Sequence, residues 1–407
     1  MKKKLTVLLG AAAGIILLSA CSFVEYNSLE ETNVPKTESV AAGELTPDQT
    51  PSTVKEESKT IGADELTVTV RNLNYVGKVQ EPSVTVRYHE KVLQKNTDYI
   101  LQYDTKNFSV GIHEAEVIMQ GKYEGSKSIT YKIEPARVNI TTIKTKVSSF
   151  EVNFTESETA DGYEAEYSLN EDFSESVALQ TDTTKFLAEN LPQNSTFYIH
   201  VRACKKVGDE TLYSAWSETK KCSLKEITVK DGMTYIDGIL VVNKTYSLPE
   251  DYGSGEDPEA LAAFQEMCSA AANDGIYLFS VSGYRSYDLQ NYLYNEFKDQ
   301  RGTEGADMVS ARPGHSEHQS GLAFDVNTTS FAFIGTPEAQ WLAENSYRYG
   351  FIIRYPEGKE DITGYSYEPW HIRYVGKEFA ETIYKSGLTL EEYFGITSKY
   401  EAINEQK

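Results

Sequence analysis

Two stretches of the C-terminal half carry the chemistry: Ser316-Glu-His318-Gln-Ser-Gly321-Leu-Ala-Phe-Asp325 and, further on, Glu368-Pro-Trp-His371. The chain has only six histidines, and His315, His318 and His371 are three of them. Two imidazoles and one carboxylate with an open coordination position make a common catalytic zinc shell, which points to His318, Asp325 and His371 as ligands. Zinc brings the pKa of water towards about 7, so such a shell supplies a nucleophile at neutral pH. Glu368, three residues before His371, is the candidate general base. By spacing alone this is weak evidence, because His and Asp pairs are frequent and a surface histidine is the plainer reading of each. His315 also invites a His-x-x-His reading with His318.

The surrounding text alternates helices and strands without a repeated βαβ rhythm, which predicts an α+β domain. Asp257-Pro258 opens a helix with an N-cap and a proline at N1, and Gly275 ends it. Tyr277 to Val281 reads as a short buried strand. Ser286 caps a second helix through Leu289, Tyr292, Leu293 and Phe297. Thr336-Pro337-Glu338 starts a third, which carries Trp341 and Leu342 and ends near Gly350. Phe351 to Tyr355 and His371 to Val375 read as strands.

Earlier in the chain the pattern is all-β. Leu66 to Val70 and Ser83 to Tyr88 alternate with period two, and glycines punctuate the runs. Residues 63–135 resemble the Ig-like repeats of surface proteins from Gram-positive bacteria. Phe150 to Phe154, Gly162 to Tyr167 and Phe197 to Ala203 form a second β pattern over 136–226, which resembles a fibronectin type III domain. Such domains carry a tyrosine corner; here Phe197 takes that place and Tyr198 points to the opposite face. No ligand constellation is visible in either module, so a spacer role is favoured over wall binding or adhesion. Cys204 and Cys222 either bridge two strands or stay as buried thiols. Cys268, on the apolar face of the Asp257 helix, reads as a buried structural thiol.

The N-terminus reads as an export signal. Lys2 to Lys4 precede an apolar run from Leu5 to Leu17, too short for a confident membrane span of about 20 residues. Leu18-Ser19-Ala20-Cys21 resembles the lipobox of bacterial lipoproteins, which implies cleavage before Cys21 and acylation of its thiol. Residues 22–62 are rich in Glu, Ser, Thr and Pro and read as a disordered acidic linker. The 407 residues carry a formal net charge of -22. That charge argues against wrapping nucleic acid. It does not exclude an anionic ligand held by a local cation.

The two opening stretches fit Ser-x-His-x-x-Gly-x-Ala-x-Asp and Glu-x-x-His, and Ser282-Gly-Tyr-Arg285-Ser lies upstream of both. With Val242-Asn-Lys244 and Leu248-Pro-Glu-Asp-Tyr252, residues 227–407 resemble the VanY-type zinc D-alanyl-D-alanine carboxypeptidases, a family that also holds L,D-carboxypeptidases. The resemblance implies one Zn2+ per chain on His318, Asp325 and His371, with Glu368 as the proton carrier. It makes Arg285 the clamp on the substrate carboxylate, with Ser316 beside it and Gln290 as a further backbone contact. It leaves His315 off the metal, and that residue reads as lining the entrance; Trp370 reads as packing beneath the site, slightly ahead of a substrate contact. The expected molecule is therefore multidomain: two all-β sandwich modules (63–135 and 136–226) precede an α+β zinc carboxypeptidase domain. Its expected partners are peptidoglycan stem peptides and, through Cys21, the outer face of the cytoplasmic membrane of a Gram-positive cell. An L,D-carboxypeptidase trimming tetrapeptide stems is the alternative within the class. A non-enzymatic wall-binding or adhesion lipoprotein is the alternative outside it.

Overall fold

The computed structural model describes residues 60–401. The expected signal, Cys21 and nearly all of the 22–62 linker lie outside the described residues. No helix among the described residues is long and apolar enough to cross a membrane.

The first β module builds a three-stranded sheet from Thr67–Arg71, Ser83–Tyr88 and Lys91–Val92. A four-stranded sheet of Leu73–Asn74, Ser126–Glu134, Gly111–Met119 and Tyr99–Tyr103 accompanies it. Alternate residues of Gly111–Met119 are buried, as period-two patterning requires. Leu66, Val86, Val117 and Tyr123 lie in the shared apolar core. Ile61–Gly62 pairs in parallel with Tyr123–Glu124, so the module's first strand begins before residue 63.

In the second module, Ile140–Thr145, Phe150–Phe154 and Lys185–Ala188 form one sheet. Val177–Thr181, Gly162–Ser168, Thr196–Val207, Glu210–Tyr213 and Lys220–Ser223 form another. Phe150, Val152, Tyr163, Phe197, Ile199 and Val201 fill one core between them. Phe197 is buried there, while the ammonium of Lys221 lies over the Tyr198 ring. Cys204 and Cys222 are free thiols. Cys222 stands opposite Phe197 and Cys204 lies on the Phe197 strand itself. Seven strand positions span roughly 20 Å, and a disulfide needs Cα atoms within about 7 Å, so no bridge joins them.

A meander of Ile227–Lys230, Met233–Ile236 and Ile239–Leu240 opens the C-terminal domain. Helix α1 (Pro258–Asn273) starts where expected, with Asp257 Oδ1 accepting from the amides of Glu259 and Ala260. The central sheet holds β1 (Ser280–Ser282), β2 (Ala323–Val326), β3 (Phe351–Tyr355) and β4 (Glu368–Tyr374), in the order β1-β2-β4-β3 and antiparallel throughout. Phe264 of α1 stacks on Phe324 of β2, and Phe351 closes the cluster at 6.3 Å from Phe264. Helix α2 (Tyr287–Asp307) is capped by Ser286 and breaks at Gly302, whose φ is 71°. Helix α3 (Pro337–Asn345) is capped by Thr336 and buries Trp341 and Leu342. After the short α4 (Glu360–Thr363), helices α5 (Lys377–Ser386) and α6 (Leu390–Phe394) complete the domain.

One expectation is corrected. Tyr277 to Val281 is not a buried strand: β1 is the short edge strand, and Tyr277, Phe279 and Val281 point outwards, 73%, 56% and 47% exposed. Only Leu278 turns into the core. The strand itself is only Ser280–Ser282, and among the described residues no layer packs over the outward side chains of the run, which the sequence does not reveal.

Candidate metal centre

Three ligand atoms, one each from His318, Asp325 and His371, lie within 4.8 Å of one another, and all three residues are buried. Strand pairing brings two of them together, because Asp325 of β2 sits directly opposite His371 of β4. Side chains so placed are neighbours on one face. The third comes from the 3-10 turn Glu317–Ser320, which leads into β2. Gly321 ends that turn with φ 73°, its amide donating to the His318 carbonyl at 3.1 Å. A Cβ at Gly321 would collide with the backbone of Gly255 and Asp257, which explains the glycine of the motif.

Hydrogen bonds fix which nitrogen of each imidazole faces the centre. His318 Nδ1 is 2.7 Å from the Gly283 carbonyl, and its Nε2 is 3.2 Å from Asp325 Oδ2. His371 Nδ1 is 3.2 Å from Asp325 Oδ1, and its Nε2 is 3.3 Å from Glu317 Oε2. Each ring therefore spends one nitrogen on an outer partner and turns the other towards Asp325, as metal-binding histidines do. The charges agree with a cation at this point. Burial works against a charged His371, yet Asp325 and Glu317 push its pKa up to about 9. Burial opposes ionisation of Asp325 as well, and the two imidazoles still hold its carboxyl below the usual range. With a divalent ion in place of the His371 proton, two imidazoles and a carboxylate suit a borderline metal such as zinc, so the residues present fit that group.

Glu317 was not singled out from the sequence, and it anchors the site. Its side chain is fully buried, with Oε1 accepting from Arg354 Nε at 2.7 Å and Arg373 Nη1 at 2.9 Å. Burial raises its pKa, but the two guanidiniums outweigh that and keep it well below the carboxylate range. Arg354 in turn pairs with Glu391 of α6 at 2.6 Å. The signal was only the x of Ser-x-His; its arginine partners lie far along the chain.

A cavity of about 300 Å³ opens over the centre. Its lining includes Arg285, Ser316, Glu368, Trp370 and the three ligand candidates. Glu368, the first residue of β4, lies 3.9 Å from His371 Nδ1, and burial pushes its pKa up to about 7. Arg285 Nη2 is 3.7 Å from Asp325 Oδ2 and 3.0 Å from Ser282 Oγ. Trp370 is buried in the core and also forms part of the wall.

Gln290 departs from its expected place. It is wholly buried; its oxygen accepts from Arg285 Nη1 at 2.8 Å, and its nitrogen donates to Ser310 Oγ and to the Ala311 carbonyl. It steadies Arg285 from behind and is not part of the cavity wall. His315 is also displaced from the expected entrance. Its Nδ1 is 2.8 Å from the Asn243 carbonyl and its ring packs edge-on against Tyr400.

The family profile for VanY, D-alanyl-D-alanine carboxypeptidase, matches residues 254–377. The "Putative carboxypeptidase YodJ" of Bacillus subtilis is 41% identical over 203 residues, which cover 43% of this chain and 74% of that protein. A solved LD-carboxypeptidase, LdcB, is 45% identical and covers 43% of this chain and 98% of that one, with a TM-score of 0.41. A zinc complex of a mutant vancomycin-resistance D,D-pentapeptidase, VanY, is 39% identical, covering 38% of this chain and 96% of that one, with a TM-score of 0.35. With that profile over the histidines and carboxylates of the buried centre, and with most of a relative matched, the chain belongs to the VanY D-alanyl-D-alanine carboxypeptidase family.

Proposed function

We propose that the C-terminal domain is a zinc carboxypeptidase of α+β architecture that removes the terminal D-alanine from peptidoglycan stem peptides, with D-Ala-D-Ala pentapeptide stems as its substrates. One observation carries this reading: the three ligand-capable side chains meet on the floor of a cavity that also presents Glu368 and Arg285. His318, Asp325 and His371 would hold the ion. Bound zinc supplies a Lewis acid that acidifies water and polarises a carbonyl.

The residues do the rest. Arg285, braced by Gln290 and Ser282, faces the cavity with a guanidinium able to grip a C-terminal carboxylate through two parallel hydrogen bonds. Ser316 lines the same cavity and offers its hydroxyl to that end of the peptide. Glu368 takes a proton from the attacking water and later delivers it to the leaving amine, a task that suits a carboxyl whose pKa is raised towards neutrality.

The sequence supports two further parts of the proposal. The lipobox-like run at Cys21 fits an acyl anchor at the outer face of the membrane. The Ig-like and fibronectin-like sandwich modules fit spacers that hold the enzyme away from it.

The test is mass spectrometry of muropeptides incubated with the zinc-loaded chain. Conversion of penta- to tetrapeptide stems is the expected result. Conversion of tetra- to tripeptides instead would assign L,D specificity to the same centre. No cleavage of either, with one zinc bound per chain, would favour a binding protein. Loss of acyl labelling in a Cys21→Ser variant would test the anchor.

A further inference from the structure

The cavity has a second cation that the proposed chemistry does not use. Leu293, Phe297 and Arg301 recur every four residues on one face of α2, and all three line the cavity. Leu293 and Phe297 form an apolar stretch of wall beyond Arg285. Arg301 ends it, with its guanidinium 5.6 Å from the centre of the Phe297 ring. The helix breaks at the next residue, Gly302, so Arg301 is the last side chain the first part of α2 can present. Arg312, Arg354 and Arg373 nearby are committed to carboxylates, whereas the ion pairs among the described residues do not include Arg301. In a chain of net charge -22, an uncommitted guanidinium at the rim of the catalytic cavity is available for an anion from outside.

We propose that Arg301 forms a second anion subsite, which takes a carboxylate carried by the peptide upstream of its scissile bond. This rests on the carboxypeptidase reading, with Arg285 holding the terminal carboxylate. Spacing supports it. Gln290, which touches Arg285, precedes Arg301 by a length of helix of about 16 Å at ~1.5 Å per residue. An extended peptide covers that distance in about four to five residues, fewer once the reach of two long side chains is included. The favoured substrate is therefore an acidic peptide, with its second carboxylate some three or four residues before its C-terminus.

The experiment compares matched peptides ending in D-alanine that differ only in glutamate or glutamine at the fourth position from the C-terminus. One pair ends in D-Ala-D-Ala and another has an L residue before the terminal D-alanine. The zinc-loaded chain should prefer glutamate by roughly threefold to tenfold in kcat/KM, as for a partly exposed charged contact. The preference should shrink with added salt. Arg301→Gln should bring the ratio close to one, and Arg301→Glu should invert it; melting curves would verify that both variants fold. Equal kcat/KM for both peptides in the unaltered chain, or a preference that survives Arg301→Gln, would overturn the subsite alone. Absence of cleavage of all peptides would overturn the carboxypeptidase reading and the subsite with it.

Discussion

Glu368 and Arg285 both adjoin a candidate ligand atom, Glu368 at His371 Nδ1 and Arg285 at Asp325 Oδ2. They are separable at the level of single side chains because the proposed mechanism gives them different partners. Glu368 lies close to His371 Nδ1 but offers no atom to the cluster of His318, Asp325 and His371. Glu368→Gln keeps the shape and removes the proton acceptor. It should retain one zinc per chain by elemental analysis and lose turnover by about 10²–10⁴-fold, the usual range for a positioned acid or base. Full activity in this variant would sink the proton-carrier role. In the proposed mechanism Arg285 acts on the substrate and not on the water. Arg285→Ala removes a charged hydrogen-bonding pair, so KM should rise and kcat/KM fall roughly tenfold to a hundredfold. The same loss on a peptide whose C-terminus is amidated would show that the guanidinium does not read the carboxylate.

Between elements, the centre depends on a buried chain of ions that runs from the 3-10 turn to α6: His371, Glu317, Arg354, Glu391. Glu317→Gln leaves Arg354 and Arg373 facing an uncharged amide in a site closed to water. Breaking one partner of a buried pair costs about 3–5 kcal/mol, and loss of an outer partner of a ligand weakens metal binding by about 10–100-fold. The variant should melt at a lower temperature and bind zinc more weakly, both measurable on one preparation by calorimetry. Unchanged zinc affinity would mean that Glu317 serves only the packing of the two arginines. The contrast with the helix starts is instructive. Asp257, Ser286 and Thr336 were readable because a cap acts on amides two or three residues away. Likewise His318, Asp325 and His371 could be nominated from the sequence, by residue type and by the motif wording around them, and the structure brings their ligand-capable atoms together. Glu317 was not, because its meaning depends on Arg354 and Arg373, which only the sheet brings near. The burial of Gln290 and the outward face of β1 were not legible for the same reason, since burial is a property of neighbours supplied by the fold.

At the scale of the whole molecule, the β modules were legible as modules, from period-two runs and glycine punctuation, but their attachment was not. The two joints differ in kind. Between the first and second modules the contacts are polar and at the surface: the Lys132–Glu210 pair, and Tyr75 Oη at 3.5 Å from Glu158. Such contacts contribute about 0–1 kcal/mol each. Between the second module and the C-terminal domain the joint is apolar and hydrogen-bonded. Val147 is buried among Ile236, Val241, Leu390 and Phe394, and its amide donates to the Phe394 carbonyl at 3.0 Å. Lys225 lies 4.2 Å from the centre of the Tyr393 ring, and the Asn194 side chain holds both backbone groups of Ile227. Burying one valine side chain is worth about 1.5–3 kcal/mol before those bonds are counted. A zinc-loaded fragment of residues 136–407 should therefore melt within a few degrees of a fragment of 60–407, whereas one of 227–407 should melt clearly lower. The loss should also reach the metal. Phe394, to which Val147 bonds, belongs to the same short helix as Glu391, the last member of the ion chain that holds His371. Freeing α6 from the second module should loosen Glu391 and weaken zinc binding in the 227–407 fragment relative to the 136–407 fragment. Equal melting temperatures and equal zinc affinities for those two fragments would show the module to be a passive tether. A drop in both would show it to be part of the scaffold that positions the ligands.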